Sequence, residues 1–142
     1  MKTLIAILLL GLSCGAQALN VTVTPTQPLV VASDAVIGGV AIKGPWFGAR
    51  YTIKNTVNVT LTLNYFTERV DAADGTSVGG LAVSLGNVEI APGESYTTPV
   101  LYTQNLPISN AAFAVTGEIT GWVGTKTAAT EMIDKIFTFQ AK

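Results

Sequence analysis

The sequence predicts an all-β fold of antiparallel strands, a sandwich or a barrel, and three observations carry this prediction. Apolar and polar residues alternate with a period of two, most clearly from Val59 to Tyr65. Turn residues such as Asp74-Gly75 and Pro92-Gly93 separate these runs about every 8 to 15 residues. The strands are also polar on one face, which argues against a parallel sheet with both faces buried.

The first eighteen residues are predicted to be a secretory signal peptide. Met1 to Thr3 supply a positive charge, and Leu4 to Leu12 form an apolar run. The segment ends in Ala16-Gln17-Ala18, a small-x-small pattern that predicts cleavage after Ala18. The apolar run has about nine residues, whereas about 20 are needed to span a bilayer, so no transmembrane span is expected.

Cys14 is an alternative first residue of the mature protein. Gly11 to Cys14 resembles the lipobox of bacterial lipoproteins, in which the cysteine is lipidated and becomes the first residue, although leucine here stands directly before the serine. The chain after residue 18 has no cysteine, and export without disulfides favours a bacterial protein over a small eukaryotic ectodomain. We therefore expect a secreted or periplasmic protein, with lipid anchoring at Cys14 as the alternative.

Residues 19–142 are expected to form a single domain. Its predicted strands lie at about 20–24, 35–43, 49–55, 58–70, 80–85, 87–91, 95–103, 112–122 and 133–140. A helix of at most two turns is predicted within 127–135, where alanine, glutamate and methionine have helical propensity. The long uncharged strand that begins near Val57 would be at risk of aggregation if it formed a sheet edge.

Two segments resemble a known class of modules. One segment is Tyr51 to Thr56 followed by Val59 to Tyr65, and the other is Val88 to Tyr96 with its Pro-Gly-Glu turn. Both are similar to bacterial immunoglobulin-like and fibronectin-type-III-like domains, and above all to the CARDB-type adhesion domains. The resemblance implies an immunoglobulin-like β-sandwich of about seven to nine strands. It also implies a module that binds, spaces or presents rather than one that catalyses. Trp46 and Trp122 are present, but the paired cysteines of antibody domains are not.

Composition excludes several functions. The 142 residues have a formal net charge of −1, which does not provide the basic surface that nucleic-acid binding requires. No histidine occurs anywhere and no cysteine occurs after Cys14, so histidine-assisted serine or cysteine catalysis and zinc binding are not expected. No phosphate-binding glycine motif is found either. We expect no cofactor and no enzymatic activity.

The acidic residues suggest two further functional sites, and for each of them a purely structural role is the favoured alternative. Asp71 to Gly75, helped by Glu68, could hold calcium, but the spacing does not fit an EF-hand and a polar hairpin tip is favoured. A carboxylate-based glycan hydrolase would need two of the three acids on strands or turns to face each other. Those acids are Glu89, Glu94 and Glu118, and solvated strand faces explain them more simply.

The aromatic pair Trp46-Phe47 lies between Gly44-Pro45 and Gly48. An exposed pair could stack on a sugar or fill a partner's pocket, whereas a buried pair would close one end of the core, which is the favoured alternative. If the protein has a contact patch, we expect it at Pro45, Trp46 and Phe47, with the Asp71–Asp74 tip second.

The function expected from these observations is that of an exported, non-catalytic structural or adhesive module of the bacterial envelope or cell surface. Its partner would be a protein or a carbohydrate, contacted by a patch or by pairing at a strand edge, and self-association is left open. The alternative is a small secreted inhibitor that presents the loop Asn105 to Ile108 to a hydrolase.

Overall fold

The computed structural model describes residues 17–18, 21–107, 112–130 and 132–141, and this part of the chain is all-β, as predicted. It contains eleven strands and no helix, and therefore no helix that could cross a membrane. In chain order the strands are β1 (Gln17–Ala18), β2 (Val21–Val31), β3 (Ala35–Ile37), β4 (Val40–Ile42), β5 (Trp46–Asn55), β6 (Leu61–Asp71), β7 (Ser77–Ile90), β8 (Ser95–Thr97), β9 (Leu101–Thr103), β10 (Phe113–Val123) and β11 (Met132–Ala141).

The strands form two sheets and one separate hairpin. The larger sheet has the order β1-β11-β10-β6-β7, antiparallel except for the short β1–β11 pair. The smaller sheet has β2 and β8 on either side of β5, and β9 pairs with β5 beyond β8. Strands β3 and β4 pair only with each other. The two sheets enclose the core, so the predicted β-sandwich is confirmed.

Alternation along each strand places one set of side chains in the core. On β5 the inward set is Phe47, Ala49, Tyr51 and Ile53, all at most 2% exposed. The ring of Tyr51 packs on Phe66 of β6 with centroids 4.8 Å apart and on Phe137 of β11 at 5.6 Å. Aromatic contacts between sheets therefore hold the sandwich together, and the outward residues of β5 are left free to form a surface.

Asn55 fixes the end of β5. Its side-chain Nδ2 donates to the carbonyl oxygens of Val59 at 2.8 Å and Ile90 at 2.9 Å, while its Oδ1 accepts from the N–H of Val57 at 2.9 Å. Its backbone N–H donates to the carbonyl oxygen of Glu94 at 2.9 Å, in the predicted Pro-Gly-Glu turn. One fully buried amide thus ties β5 to two neighbouring turns.

Four predicted strands are divided or joined differently in the structure. The strand predicted at 35–43 is the β3–β4 hairpin, because Gly38 and Gly39 both take positive φ (57° and 83°), as a tight hairpin turn requires. The strands predicted at 80–85 and 87–91 are one strand, β7, with a bulge at Gly86-Asn87. The strand predicted at 95–103 divides into β8 and β9 around Pro99.

One further prediction is wrong. The predicted helix within 127–135 is absent, since the residues up to Thr130 form turns and β11 begins at Met132. Ten residue pairs with β10 fix β11 as a strand, and such pairing overrides local propensity. The strand that begins near Val57 does not form an edge, since β6 lies between β10 and β7, so the condition for its risk of aggregation is not met. The exposed edge of this sheet is β7 instead.

Candidate functional site

Trp46 begins β5 and points to the outer face of the smaller sheet. Its indole lies flat over Gly48, two residues further along the same face, where any Cβ would collide with the ring. This packing leaves Trp46 only 8% exposed although it lies outside the core. Its indole Nε1 is buried and has no hydrogen-bond partner among the residues the structure describes.

A surface cavity of about 200 Å³ lies beside this indole. Strands β2 and β5, the β3–β4 hairpin and the segment between β8 and β9 all contribute to it, through Thr26, Ile37, Trp46, Gly48, Ala49, Arg50 and Val100. Arg50 is exposed and forms no ion pair within the described part of the chain. The cavity therefore combines an aromatic ring and apolar walls with an unpaired cation.

The β3–β4 hairpin supplies one wall of the cavity through Ile37. Its base is closed by Asp34, whose carboxylate accepts from Lys43 Nζ at 2.8 Å and from the N–H of Gly44 at 3.0 Å. The N–H of Lys43 in turn donates to the side-chain Oε1 of Gln104 at 2.9 Å, which ties the hairpin to the residue after β9. The lysine and the Gly44 amide hold the pKa of Asp34 below its usual range.

The structure separates the three residues of the predicted aromatic patch. Phe47 is fully buried and its ring lies 6.2 Å from that of Phe139, as the core alternative expects. Pro45 is half-buried, follows a cis peptide bond and accepts a hydrogen bond from the N–H of Leu106 at 2.9 Å. Only Trp46 lines the cavity, so a contact at this place would use the indole and its neighbours on the sheet face.

The predicted Asp71–Asp74 site is the tip of the β6–β7 hairpin. Asp71 is 7% exposed and its Oδ2 accepts from Arg69 Nη2 at 2.8 Å. Asp74 is exposed, and its Oδ1 accepts from the N–H of Thr76 at 2.9 Å, which holds the pKa of this carboxyl below its usual range. No group of three potential metal ligands occurs in the described ranges, and whether this tip binds calcium or a partner stays a prediction.

The remaining predicted candidates are dispersed. Cys14 and Ile108 lie outside the described residues. In the predicted inhibitory loop Leu106 is 4% exposed and points inward. Glu94 lies exposed in a turn of the chain between β7 and β8.

The other two acids lie on the larger sheet. Glu89 pairs across the sheet with Thr62, and Glu118 with Thr67. Thr62 and Thr67 are five positions apart on β6, which at the rise of a strand corresponds to roughly 16 Å. This distance exceeds the roughly 5 to 9.5 Å between the two catalytic carboxyls of a glycosidase. The neighbour of Glu118 is instead Asp134 on β11, whose hydrogen bond raises the pKa of the glutamate.

The structure gives Glu68 a place that the sequence did not predict, since it was expected only to help hold calcium at the Asp71–Gly75 tip. Glu68 points into the core, where it is 4% exposed and its Oε2 accepts a hydrogen bond from the hydroxyl of the fully buried Tyr51. Burial raises the pKa of Glu68 to about 7, although the hydrogen bond from Tyr51 opposes the shift. The signal was present in the sequence, because Phe66, Glu68 and Val70 share one face of β6 by their spacing.

No family model and no curated protein matches this sequence. Among solved structures, the chain is similar to Northeast Structural Genomics Consortium target SoR45, with a TM-score of 0.59 and 14% identity over 88% of both chains. It also aligns with a β-glucuronidase from glycoside hydrolase family 2, with a TM-score of 0.47 and 13% identity over 84% of this chain and 11% of that one. The C-terminal domain of wzt aligns with a TM-score of 0.44 and 7% identity over 90% of this chain and 81% of that one.

These likenesses bear on the fold alone. The first supports a β-sandwich spanning most of both chains, and the other two are too distant to bear on function. The resemblance to immunoglobulin-like and CARDB-type modules is thus supported at the level of the β-sandwich, and none of the three names the CARDB family.

Proposed function

We propose that this protein is a non-catalytic binding module of the bacterial envelope or cell surface and that it binds carbohydrate in the cavity beside Trp46. The observation that carries the proposal is the combination, in one surface cavity, of an indole ring with the unpaired guanidinium of Arg50. A flat aromatic ring stacks on the apolar face of a sugar, and its N–H can donate to a ring or hydroxyl oxygen. The guanidinium adds further donors for hydroxyl, carboxylate or phosphate oxygens.

The size of the cavity favours a small ligand group. Its volume of about 200 Å³ is below the roughly 300 to 1,000 Å³ of pockets that enclose a drug-sized molecule. One sugar ring of a longer chain fits such a space, with the rest of the chain lying across the sheet.

Glycan binding is tested first on an array of bacterial surface polysaccharides, and any hit is then titrated by calorimetry. Arg50→Gln is expected to weaken binding by about tenfold, because a charge-assisted hydrogen bond contributes about 1.5 to 3 kcal/mol. Lys54→Gln is the matched control, since Lys54 is another exposed cation on the same strand and face. An array without hits, or equal affinities of both variants and the wild type, would reject the proposal.

The two tryptophans provide a second, spectroscopic test. Ligand binding is expected to change the fluorescence of Trp46, so the signal should be lost in Trp46→Phe and retained in Trp122→Phe, which alters the opposite sheet. Retention of the full signal in Trp46→Phe would place the ligand elsewhere on the protein.

The export part of the proposal has its own test. The leader from Met1 to Ala18 supports secretion or periplasmic location, and Cys14 supports lipid anchoring as the alternative. The intact mass of the protein purified from its host distinguishes the two. A soluble chain starting at Leu19 indicates free export, whereas an acylated chain starting at Cys14 in the membrane fraction indicates a lipoprotein, and an unprocessed chain in the cytoplasm overturns both.

A further inference from the structure

The edges of the two sheets differ in how well they are protected against pairing with another chain. Edge strand β2 contains Pro25 and Pro28, which have no backbone N–H to donate. On the other side of the smaller sheet, β8 and β9 have three residues each. At the other margin of the larger sheet, the two-residue β1 pairs with the start of β11, and β11 itself carries the adjacent charges Asp134 and Lys135. Short strands, prolines and charges are the usual means of blocking edge pairing.

Strand β7 has none of these protections over most of its length. It contains fourteen residues and pairs with β6 on one side, and no described strand pairs with its other side. Its first nine residues, Ser77 to Leu85, include neither a charged residue nor a proline. The half-buried side chains of Leu81, Val83 and Leu85 line the margin of the core along this edge.

The open part of the edge has defined limits. At its start, Gly79 lies against the side chain of Thr103 on β9, so the smaller sheet covers this end. At its other end, the bulge at Gly86 and Asn87, both with positive φ, interrupts the strand. Between these points, every second residue of 80–85 presents its backbone donor and acceptor to solvent, since the residues between them bond to β6.

We propose that this segment pairs antiparallel with the same segment of a second copy of this chain, about a two-fold axis near Ala82. In that register Ala82 faces its own copy and Leu81 faces Val83, so core-facing residues meet core-facing residues. No like charges meet, because the segment has none. The outward residues Ala82 and Ser84 are small and exposed, which leaves room for the two sheets to join into one continuous sheet.

The self-complementary sequence favours a second copy over a foreign strand. The edge offers no charge with which to select a different partner, whereas an identical neutral strand satisfies its backbone groups and its apolar margin together. With the two-fold axis at Ala82, residues 80–84 of one copy pair with residues 80–84 of the other. Five residues per copy bury little area, so the dimer is weak and its population depends on concentration.

The test is sedimentation equilibrium from micromolar to millimolar protein, with Ala82→Lys as the disrupting variant. Two lysines at the axis would face each other, and dimerisation is expected to weaken by at least about tenfold. Thr138→Lys is the matched control, since Thr138 is exposed on the same face of the same sheet, on β11. It should dimerise like the wild type.

Hydrogen exchange provides the second measurement. Among residues 80–84, the amides that point away from β6 are expected to gain protection as the wild-type concentration rises, and those of Ala82→Lys are expected not to. Urea unfolding at low concentration verifies that each variant is folded. A wild type that stays monomeric at millimolar concentration, or equal association of Ala82→Lys and the wild type, overturns the proposal.

Discussion

Replacing Glu68 with glutamine should remove a pH dependence of stability that the buried carboxyl imposes. Glu68 is 4% exposed, and one of its oxygens, Oε1, has no partner in the described part of the chain. Glutamine has nearly the same shape and its carbonyl can still accept the hydrogen bond from Tyr51. The substitution therefore removes the charge and keeps the packing.

The magnitude follows from the pKa of Glu68, which burial raises from its ordinary 4.5 to about 7 in the folded protein. Because the folded state holds the proton more tightly than the unfolded state, the resulting stabilisation is complete below pH 4.5. It is lost as the pH rises through 7. At 1.36 kcal/mol for each pH unit, the loss amounts to about 3 kcal/mol.

The assay is urea unfolding followed by tryptophan fluorescence at a series of pH values between 4.5 and 8.5. The free energy of unfolding of Glu68→Gln minus that of the wild type should rise by about 3 kcal/mol over this range. Glu94→Gln is the control, because Glu94 is exposed in a turn and the same difference should stay flat. A flat difference for Glu68→Gln would refute the account of a buried, protonated carboxyl.

Three further substitutions test the packing. Asn55→Ala should lower the unfolding free energy by about 2 to 4 kcal/mol, since one buried and two part-buried backbone groups lose their partner, and urea midpoints measure this. Gly117→Ala should lower the unfolding free energy by about 1 to 3 kcal/mol because the added Cβ meets the ring of Phe137. An unchanged melting temperature would contradict this contact. Arg69→Met should lower the unfolding free energy by about 1 to 2 kcal/mol, because the carboxylate of Asp71 loses its cation. In urea unfolding, the double variant that also carries Asp71→Asn should recover most of that stability.

The sequence predicted the sandwich because its strongest signals are local. Alternation along β5, β6 and β10 and the turns at Asp74-Gly75 and Pro92-Gly93 depend on neighbouring residues, and all appear where expected. The order of strands in a sheet depends on contacts between distant residues. A local sequence pattern therefore could not predict that β6 lies in the middle of its sheet or that β7 forms an open edge.

The candidate site was predictable only in part, for a similar reason. The sequence singled out Trp46, but its place beside a cavity depends on the missing side chain of Gly48 and on the distant Ile37 and Val100. For Glu68 the sequence predicts only a possible aid to calcium binding at the hairpin tip, and its burial is unexpected because glutamate is rarely buried. Only the partner hydroxyl of Tyr51, seventeen residues away, shows why the core accepts it.

The hairpin of β3 and β4 has a consequence for how this protein can change over evolutionary time. It pairs with neither sheet, and a carboxylate and an amide side chain fasten it at its base. Mutations at positions beside its two turn glycines can therefore accumulate without disturbing the packing that folds the domain. Ile37, at the start of that turn, is also a wall of the cavity. Selection could thus alter what the domain recognises by changing a few hairpin residues, while the sandwich that carries them stays the same.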